Sequence, residues 1–297
     1  MEKIDEKDFL SLGRNDQGKV GGIYGKSFCI INDRARGDIM ASLSLGRQLK
    51  IRGASMVSLG IHYRTDLSLF RCNPDIDFIF TMPHSWPTLS RPRWAYDCAD
   101  YVINQCYYTH QSGLSFYESR VKDACIPLSS VADFRPSIRL ADHVEPFVDK
   151  LISEWGIAGK PFFTLHPQGF HPSRQLTEST LNRVIELIKE PLIVLGYDLE
   201  FEAPANVINF TNRNGMDISA ELLRRCAGFI GVCSVWSHVA FAYNKPCFIF
   251  YSDTRPEQMF AKHHQALEYI KTPPGIQSGI EVKNLDQLLE WIRNLVE

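Results

Sequence analysis

The stretch that most constrains this chain runs from Cys226 to Pro256, CAGFIGVCSVWSHVAFAYNKPCFIFYSDTRP. Residues 228–232 read as a short buried strand, Cys233 and Ser234 as a tight polar corner, and residues 235–243 as a helix. Asn244, Lys245 and Pro246 break that helix, because proline lacks an N–H and clashes with the preceding turn. Residues 247–251 form an apolar strand, and Ser252, Asp253 and Thr254 lead into a polar loop. Strand, helix and strand in so short a span make a βαβ unit, which requires a parallel sheet. At its corner the first backbone N–H groups of the helix have no intrahelical partner, a geometry that docks anions.

The rest of the chain repeats this pattern. Ahead of the first strand (27–32), Gly18, Gly21, Gly22 and Gly25 form an entry turn. A dinucleotide-binding glycine loop would follow its strand instead. After Asp33-Arg34-Ala35-Arg36-Gly37-Asp38, the segment IMASLSLGRQLKIRG places Ile39, Leu43, Leu45 and Leu49 on an amphipathic helix, with basic residues in its last turns. Gly53 stops it, and 55–61 is the second strand. A short helix is expected over 66–72, closed by Asn73-Pro74, then a strand over 77–81. Asp75 and Asp77 precede that strand and read as turn chemistry rather than a metal pair. Residues 82–93 read as a surface loop whose Arg91, Arg93 and Trp94 are either solvated or available to an anionic acceptor. Residues 94–108 have helical spacing, residues 109–135 carry no clear pattern, and 136–140 reads as a short strand.

A helix over 142–156 ends at Trp155-Gly156, after which the pattern restarts. Strands are expected over 161–166, 192–196 and 207–210, with helices over 177–189, 218–227 and 285–296. Thr177 begins the first of these as its N-cap. His263 and His264 read as a solvated loop pair. Two α/β layers therefore meet near residue 158, and the expected fold is α/β with two Rossmann-like domains, 1–157 and 158–297, facing across a cleft.

Bulk numbers exclude several classes. A chain of 297 residues, 44% hydrophobic and 22% charged, is an ordinary globular composition. With 32 Lys and Arg against 34 Asp and Glu, the net charge of -2 gives no indication of a nucleic-acid partner. No apolar run approaches the roughly 18 to 20 residues of a membrane span. The charged segment 1–19 lacks the apolar centre of a signal peptide, so a cytoplasmic location is expected. The eight cysteines include no C-x-x-C pair, and several, such as Cys29 and Cys247, sit in apolar runs. Buried reduced thiols are expected rather than a metal site.

Ligands of Rossmann-like sheets bind at the carboxyl ends of the strands. Four loops qualify, 33–38, 166–174, 233–238 and 252–255, and they carry Asp38, His166, Arg174, Ser234, His238 and Thr254. Cations, hydroxyls and helix N-termini together suit a phosphate-bearing ligand. Each residue also has a plainer reading. Asp38 and Ser234 can serve as helix caps, His166 can satisfy a buried strand end, His238 sits on an apolar helix face, and Arg174 can be solvated.

The order of these motifs resembles the heptosyltransferase family, glycosyltransferase family nine. Arg36-Gly37-Asp38 between strand and helix is similar to the family's R-x-G-D, and Pro74-Asp75-Ile76-Asp77 to its P-x-I-D strand entry. Leu165-His166-Pro167-Gln168-Gly169 is a third point of resemblance, and Ser173-Arg174 stands where the family has a Lys-Arg-Trp element. His238-Val239-Ala240-Phe241-Ala242, Lys245-Pro246 and the run from Phe250 to Pro256 are similar to its last motif. The sequence departs at Cys233, where the family has Asp, at Val235, where it has Gly, and after Arg174, where Trp is absent.

The resemblance implies a GT-B, metal-independent, inverting glycosyltransferase that needs no cofactor beyond its nucleotide-diphosphate sugar donor. It implies Asp38 as catalytic base and Arg34 and Arg36 as acceptor contacts. His166, Gly169, Ser173, Arg174, Ser234, His238 and Thr254 would bind the donor in the C-terminal domain. The acceptor would be a glycan or another hydroxyl-bearing molecule bound by the N-terminal domain, and a peripheral membrane contact belongs among the expected partners. The alternatives are a nucleotide-sugar hydrolase or epimerase on the same scaffold, or a non-catalytic relative that binds sugar nucleotides.

Overall fold

The computed structural model describes residues 22–297 apart from 33, 63–64, 83–98, 106–112, 170, 197–198, 200, 202, 212–214, 253–255 and 273–278. By packing, the chain divides into two compact units between Arg139 and Leu140. Among the described residues no helix is long and apolar enough to cross a membrane.

In the first unit the elements are β1 (Ser27–Asn32), α1 (Arg36–Ile51), β2 (Met56–His62), β3 (Phe78–Met82), β4 (Tyr101–Asn104) and α2 (Phe116–Asp123). The four strands run parallel in the order β3-β2-β1-β4. β1 is buried beyond its first residue, as a strand flanked on both edges must be. Ile39, Leu43, Leu45 and Leu49 form the buried side of α1, which packs on α2.

Three expectations fail in this unit. Residues 66–72 form turns rather than a helix, since Asp66 accepts from the Ser68 N–H at 2.9 Å and diverts the backbone locally. Helical spacing over 94–108 gives way at Tyr101–Asn104 to β4, because these β-prone residues fill the open edge of β1. Residues 94–98 and 106–108 lie outside the described set. Segment 136–140 is irregular. Side chains take the carbonyls around it: Arg47 donates to Arg135 O at 2.7 Å and Asn73 to Ser137 O at 2.6 Å, so no strand ladder forms.

The second unit contains α3 (Val144–Glu154), β5 (Phe163–His166), α4 (Glu178–Leu187), β6 (Leu192–Val194) and β7 (Val207–Asn209). It continues with α5 (Met216–Arg225), β8 (Gly228–Val232), α6 (Val235–Ala242), β9 (Cys247–Tyr251), α7 (Pro256–Met259), β10 (Leu267–Lys271) and α8 (Asp286–Val296). Its six strands are all parallel, in the order β10-β9-β8-β5-β6-β7. Phe163, Ile230, Phe248 and Phe250 of the sheet pack with Val184 and Ile185 of α4 and Leu288 and Trp291 of α8. β10 and α7 lie in stretches without a clear sequence pattern. α3 packs against α5 and so belongs with this unit, although the sequence pattern restarts only after it.

Both sheets share one topological feature. From β1 the chain steps outward to β2 and β3, then returns to β4 on the other side of β1. From β5 it steps outward to β6 and β7, then returns to β8 on the other side of β5. At such switch points the loops leaving adjacent strands diverge and open a crevice beyond the strands' carboxyl ends.

Candidate active site

In the first unit the switch point lies between β1 and β4, and its residues form a closed ring of hydrogen bonds around Asp38. Asp38 is in the first turn of α1, whose N-cap is Ala35, so capping does not explain it. Its Oδ1 accepts from Arg120 Nη2 at 2.9 Å. Arg120, on α2, donates through Nη1 to the Gln105 carbonyl at 2.8 Å and lies 5.0 Å from the Phe116 ring centroid. Ser42 donates to Gln105 Oε1 at 2.6 Å, Asn32 Nδ2 to Ser42 Oγ at 2.7 Å, and Asn32 Nδ2 to the Asp38 carbonyl at 3.0 Å. The ring thus begins and ends on Asp38. Arg34 is exposed and donates its N–H to Asn32 Oδ1 at 3.0 Å, while Arg36 is half-buried at the start of α1.

Arg120 was not among the residues the sequence singled out. Its signal is an arginine on the apolar side of FYESRVKD, one turn from Phe116 and Tyr117, where a solvated charge has no place. An N-terminal signature, Ser115-x-x-Glu118, also marks the start of α2, and both capping-box hydrogen bonds are formed.

In the second unit the switch point lies between β5 and β8. His166 ends β5 and Ser234 caps α6 immediately after β8, with His166 Nδ1 and Ser234 Oγ 3.2 Å apart. The strands can approach this closely because Gly231 lies beside His166; a β-carbon there would fall 2.7 Å from the His166 carbonyl oxygen. Ser234 accepts from the Trp236 N–H at 3.3 Å, and Ser237 donates to the Ser234 carbonyl at 2.6 Å. His166 is 5% exposed, its ring 6.2 Å from that of Trp236, and burial lowers its pKa to about 3.

His238 follows Ser234 by one helical turn, is 3% exposed, and packs edge-on against Phe260 at 5.4 Å. Burial, and secondarily the positive charge of Arg174, lower its pKa to about 3. The Arg174 charge is thus within electrostatic range of His238. Arg174 closes a tight loop: the Gly169 N–H donates to its carbonyl at 2.7 Å, and Gln168 bridges to Gln175. A β-carbon at Gly169 would lie 2.7 Å from Arg174 Cβ, so this glycine permits the close approach. Ser173 is buried within the turn, its Oγ 2.8 Å from His171 Nδ1.

The structure therefore brings His166 and Ser234 together, with His238 one turn along α6 and Arg174 within electrostatic range of His238, and Gly169 and Ser173 shape the loop that carries Arg174. Thr254 lies outside the described residues. Cys233 is buried, so the corner before α6 presents Ser234 and backbone amides rather than a carboxylate. His264 is buried against Phe241 and Phe260 and is not part of a solvated pair, because the chain turns it inward after the 3-10 turn at Ala261–His263.

Two parallel α/β sheets of this kind match the GT-B class of fold, as the similar solved structures show. Among solved structures, the chain is similar to a glycosyl transferase of family 9 from Veillonella parvula DSM 2008, at 12% identity, with 92% of this chain and 98% of that chain covered and a TM-score of 0.75. It is also similar to the E. coli ADP-heptose lps heptosyltransferase II, at 14% identity, 91% and 98% coverage and a TM-score of 0.66. The E. coli heptosyltransferase WaaC with ADP-2-deoxy-2-fluoro heptose matches at 11% identity, 89% and 99% coverage and a TM-score of 0.58. At these identities the likeness establishes the fold. No protein-family model matches the sequence, and no curated protein matches it.

Proposed function

We propose that the protein is a metal-independent, inverting glycosyltransferase that moves a sugar from a nucleotide-diphosphate donor to an acceptor hydroxyl. The observation that carries this reading is the pairing of clusters with switch points. One unit holds a carboxylate where its sheet opens, and the other holds a cation whose charge acts on the helix that Ser234 caps. Asp38 takes the proton from the acceptor hydroxyl as its oxygen attacks the anomeric carbon. The bond from that carbon to the diphosphate breaks, and negative charge gathers on the departing phosphate oxygens. Arg174 and the N-terminal amides of α6 stabilise that charge. Burial keeps His166 and His238 neutral, so they supply hydrogen bonds and Arg174 supplies the cationic charge of this cluster.

On this reading residues 140–297 hold the donor and the first unit holds the acceptor, with Arg34 and Arg36 near enough to Asp38 in sequence to meet an anionic acceptor. The acceptor is a glycan or another hydroxyl-bearing molecule, and the setting is cytoplasmic. Cys29, Cys226, Cys233 and Cys247 are all buried.

ADP-heptose, a substrate named for one similar structure, is the first donor to test, alongside ADP-, GDP- and UDP-hexoses. Calorimetry should find one nucleotide sugar bound, and Asp38→Asn should lower its turnover by at least about 100-fold while leaving binding intact. Full turnover by Asp38→Asn would remove Asp38 as base. Binding of a donor with no turnover on any acceptor would favour the non-catalytic alternative, and sugar release unaffected by any acceptor would favour a hydrolase.

A further inference from the structure

We infer that Arg120 is the positioning residue for Asp38, fixing the carboxylate through the buried ring that joins β1, α1, the end of β4 and α2. The inference rests on the reading of Asp38 as the base and adds the group that aims it. Arg120 is fully buried, whereas the Asp38 side chain keeps 26% of its exposure. A guanidinium does not surrender its proton in a protein, so a buried one must be compensated by charge and hydrogen bonds. Asp38 Oδ1 and the Gln105 carbonyl both accept from it.

Burying a charge is costly unless it is paired, so the fully buried guanidinium needs the Asp38 carboxylate. Here the carboxylate is gripped from its buried side while its other side reaches the surface at the sheet's switch point. The grip is directional, because a planar guanidinium fixes the geometry of two acceptors at once. It is also anchored. Gln105 is held by Ser42, Ser42 by Asn32, and Asn32 grips the Asp38 carbonyl, so side chain and backbone of Asp38 are fixed by one circuit. Gln105 itself is tied to the sheet through its N–H, which donates to Ile31 O at 2.8 Å. Lysine offers a point charge and cannot reproduce that fork.

The test uses the full-length protein with Arg120→Met and Arg120→Lys, and compares each with Asp38→Asn. The substrate-free readout is the χ1 rotamer of isotope-labelled Asp38, measured by NMR scalar couplings. We expect a single rotamer in the wild type and averaging over several in Arg120→Met, with the far-ultraviolet circular dichroism unchanged. The kinetic readout is ADP release from ADP-heptose with water as acceptor. We expect kcat to fall about 100-fold in Arg120→Met, as for a misplaced catalytic group, with the Kd for ADP within about twofold. Arg120→Lys should recover little of the loss, and Asp38→Asn with Arg120→Met should be no slower than Asp38→Asn alone.

A single Asp38 rotamer retained in Arg120→Met would overturn the inference, with or without turnover of ADP-heptose. Multiplying losses in the double variant would overturn it too, since Arg120 would then act elsewhere. Full activity in Asp38→Asn would instead sink the base assignment, and the rotamer measurement would still decide whether Arg120 aims the side chain.

Discussion

His166 and His238 sit where a phosphate is proposed to bind, yet neither supplies charge at neutral pH. Their folded pKa of about 3 lies below the ordinary value of 6.5. The unfolded chain therefore binds protons more readily than the folded one as pH falls. Stability is complete above about pH 6.5 and is lost progressively as pH drops towards 3. At pH 4.5 each histidine should cost about 2 to 3 kcal/mol relative to pH 7.5. Urea unfolding at the two pH values checks this, and His238→Gln should lose less stability on acidification than the wild type. An equal loss in both would mean that His238 is solvated in the folded state. The plainer sequence reading of His238, as a histidine on an apolar helix face, is thus right about burial, and its coupling to Arg174 ties it to the cluster as well. Arg120 was harder to recognise. Its partner Asp38 is 82 residues away, and only the return of the chain from β3 to β4 brings the two together.

At the scale of elements, legibility followed how local the determining interaction is. The strands Ser27–Asn32, Gly228–Val232 and Cys247–Tyr251 are short apolar runs bounded by breakers, and the sequence places all three at their observed limits. Tyr101–Asn104 is equally apolar, but its spacing relative to Trp94 and Cys98 imitates a helix. Only pairing with β1 resolves the ambiguity, and that partner is about 70 residues upstream in chain order. α2 lies in a stretch without a clear sequence pattern, and its local signal is its cap. Ser115 accepts from the Glu118 N–H at 3.2 Å, and Glu118 accepts from the Ser115 N–H at 2.5 Å. Ser115→Ala should cost about 1 kcal/mol in urea unfolding through loss of this cap. Because α2 carries Arg120, the same substitution should loosen Asp38 and lower kcat more than it raises KM. A loss of stability with kcat unchanged would show that the first turn of α2 is not needed to hold Arg120.

For the whole molecule, the division between Arg139 and Leu140 has a consequence the sequence pattern alone did not give. The pattern restarts after Gly156, so a boundary near 158 is natural from periodicity. Packing assigns α3 to the second unit because charges join it to α5. Glu221, 4% exposed, accepts from both Arg224 and Arg225, and these arginines reach Glu145 and Asp149 of α3. Beyond α3, Trp155 packs edge-on against Phe210 at 5.3 Å, and Ile157 is buried. A fragment beginning at residue 158 would expose the buried side of α5, leave Arg225 without its α3 partners, and strip Phe210 of its aromatic neighbour. Uncovering apolar surface destabilises by on the order of several kcal/mol, and loss of the exposed ion pairs adds a smaller amount. We therefore predict that residues 140–297, expressed alone, unfold cooperatively with a sigmoidal urea transition. Residues 158–297 should unfold at a clearly lower urea concentration or remain incompletely folded. Since His166, Arg174, Ser234 and His238 all lie in this unit, the longer fragment should also bind ADP with a Kd close to that of the full chain. Equal midpoints for the two fragments would return the boundary to residue 158. A stable longer fragment that fails to bind ADP would show that the nucleotide needs the first unit, against the division of labour proposed above.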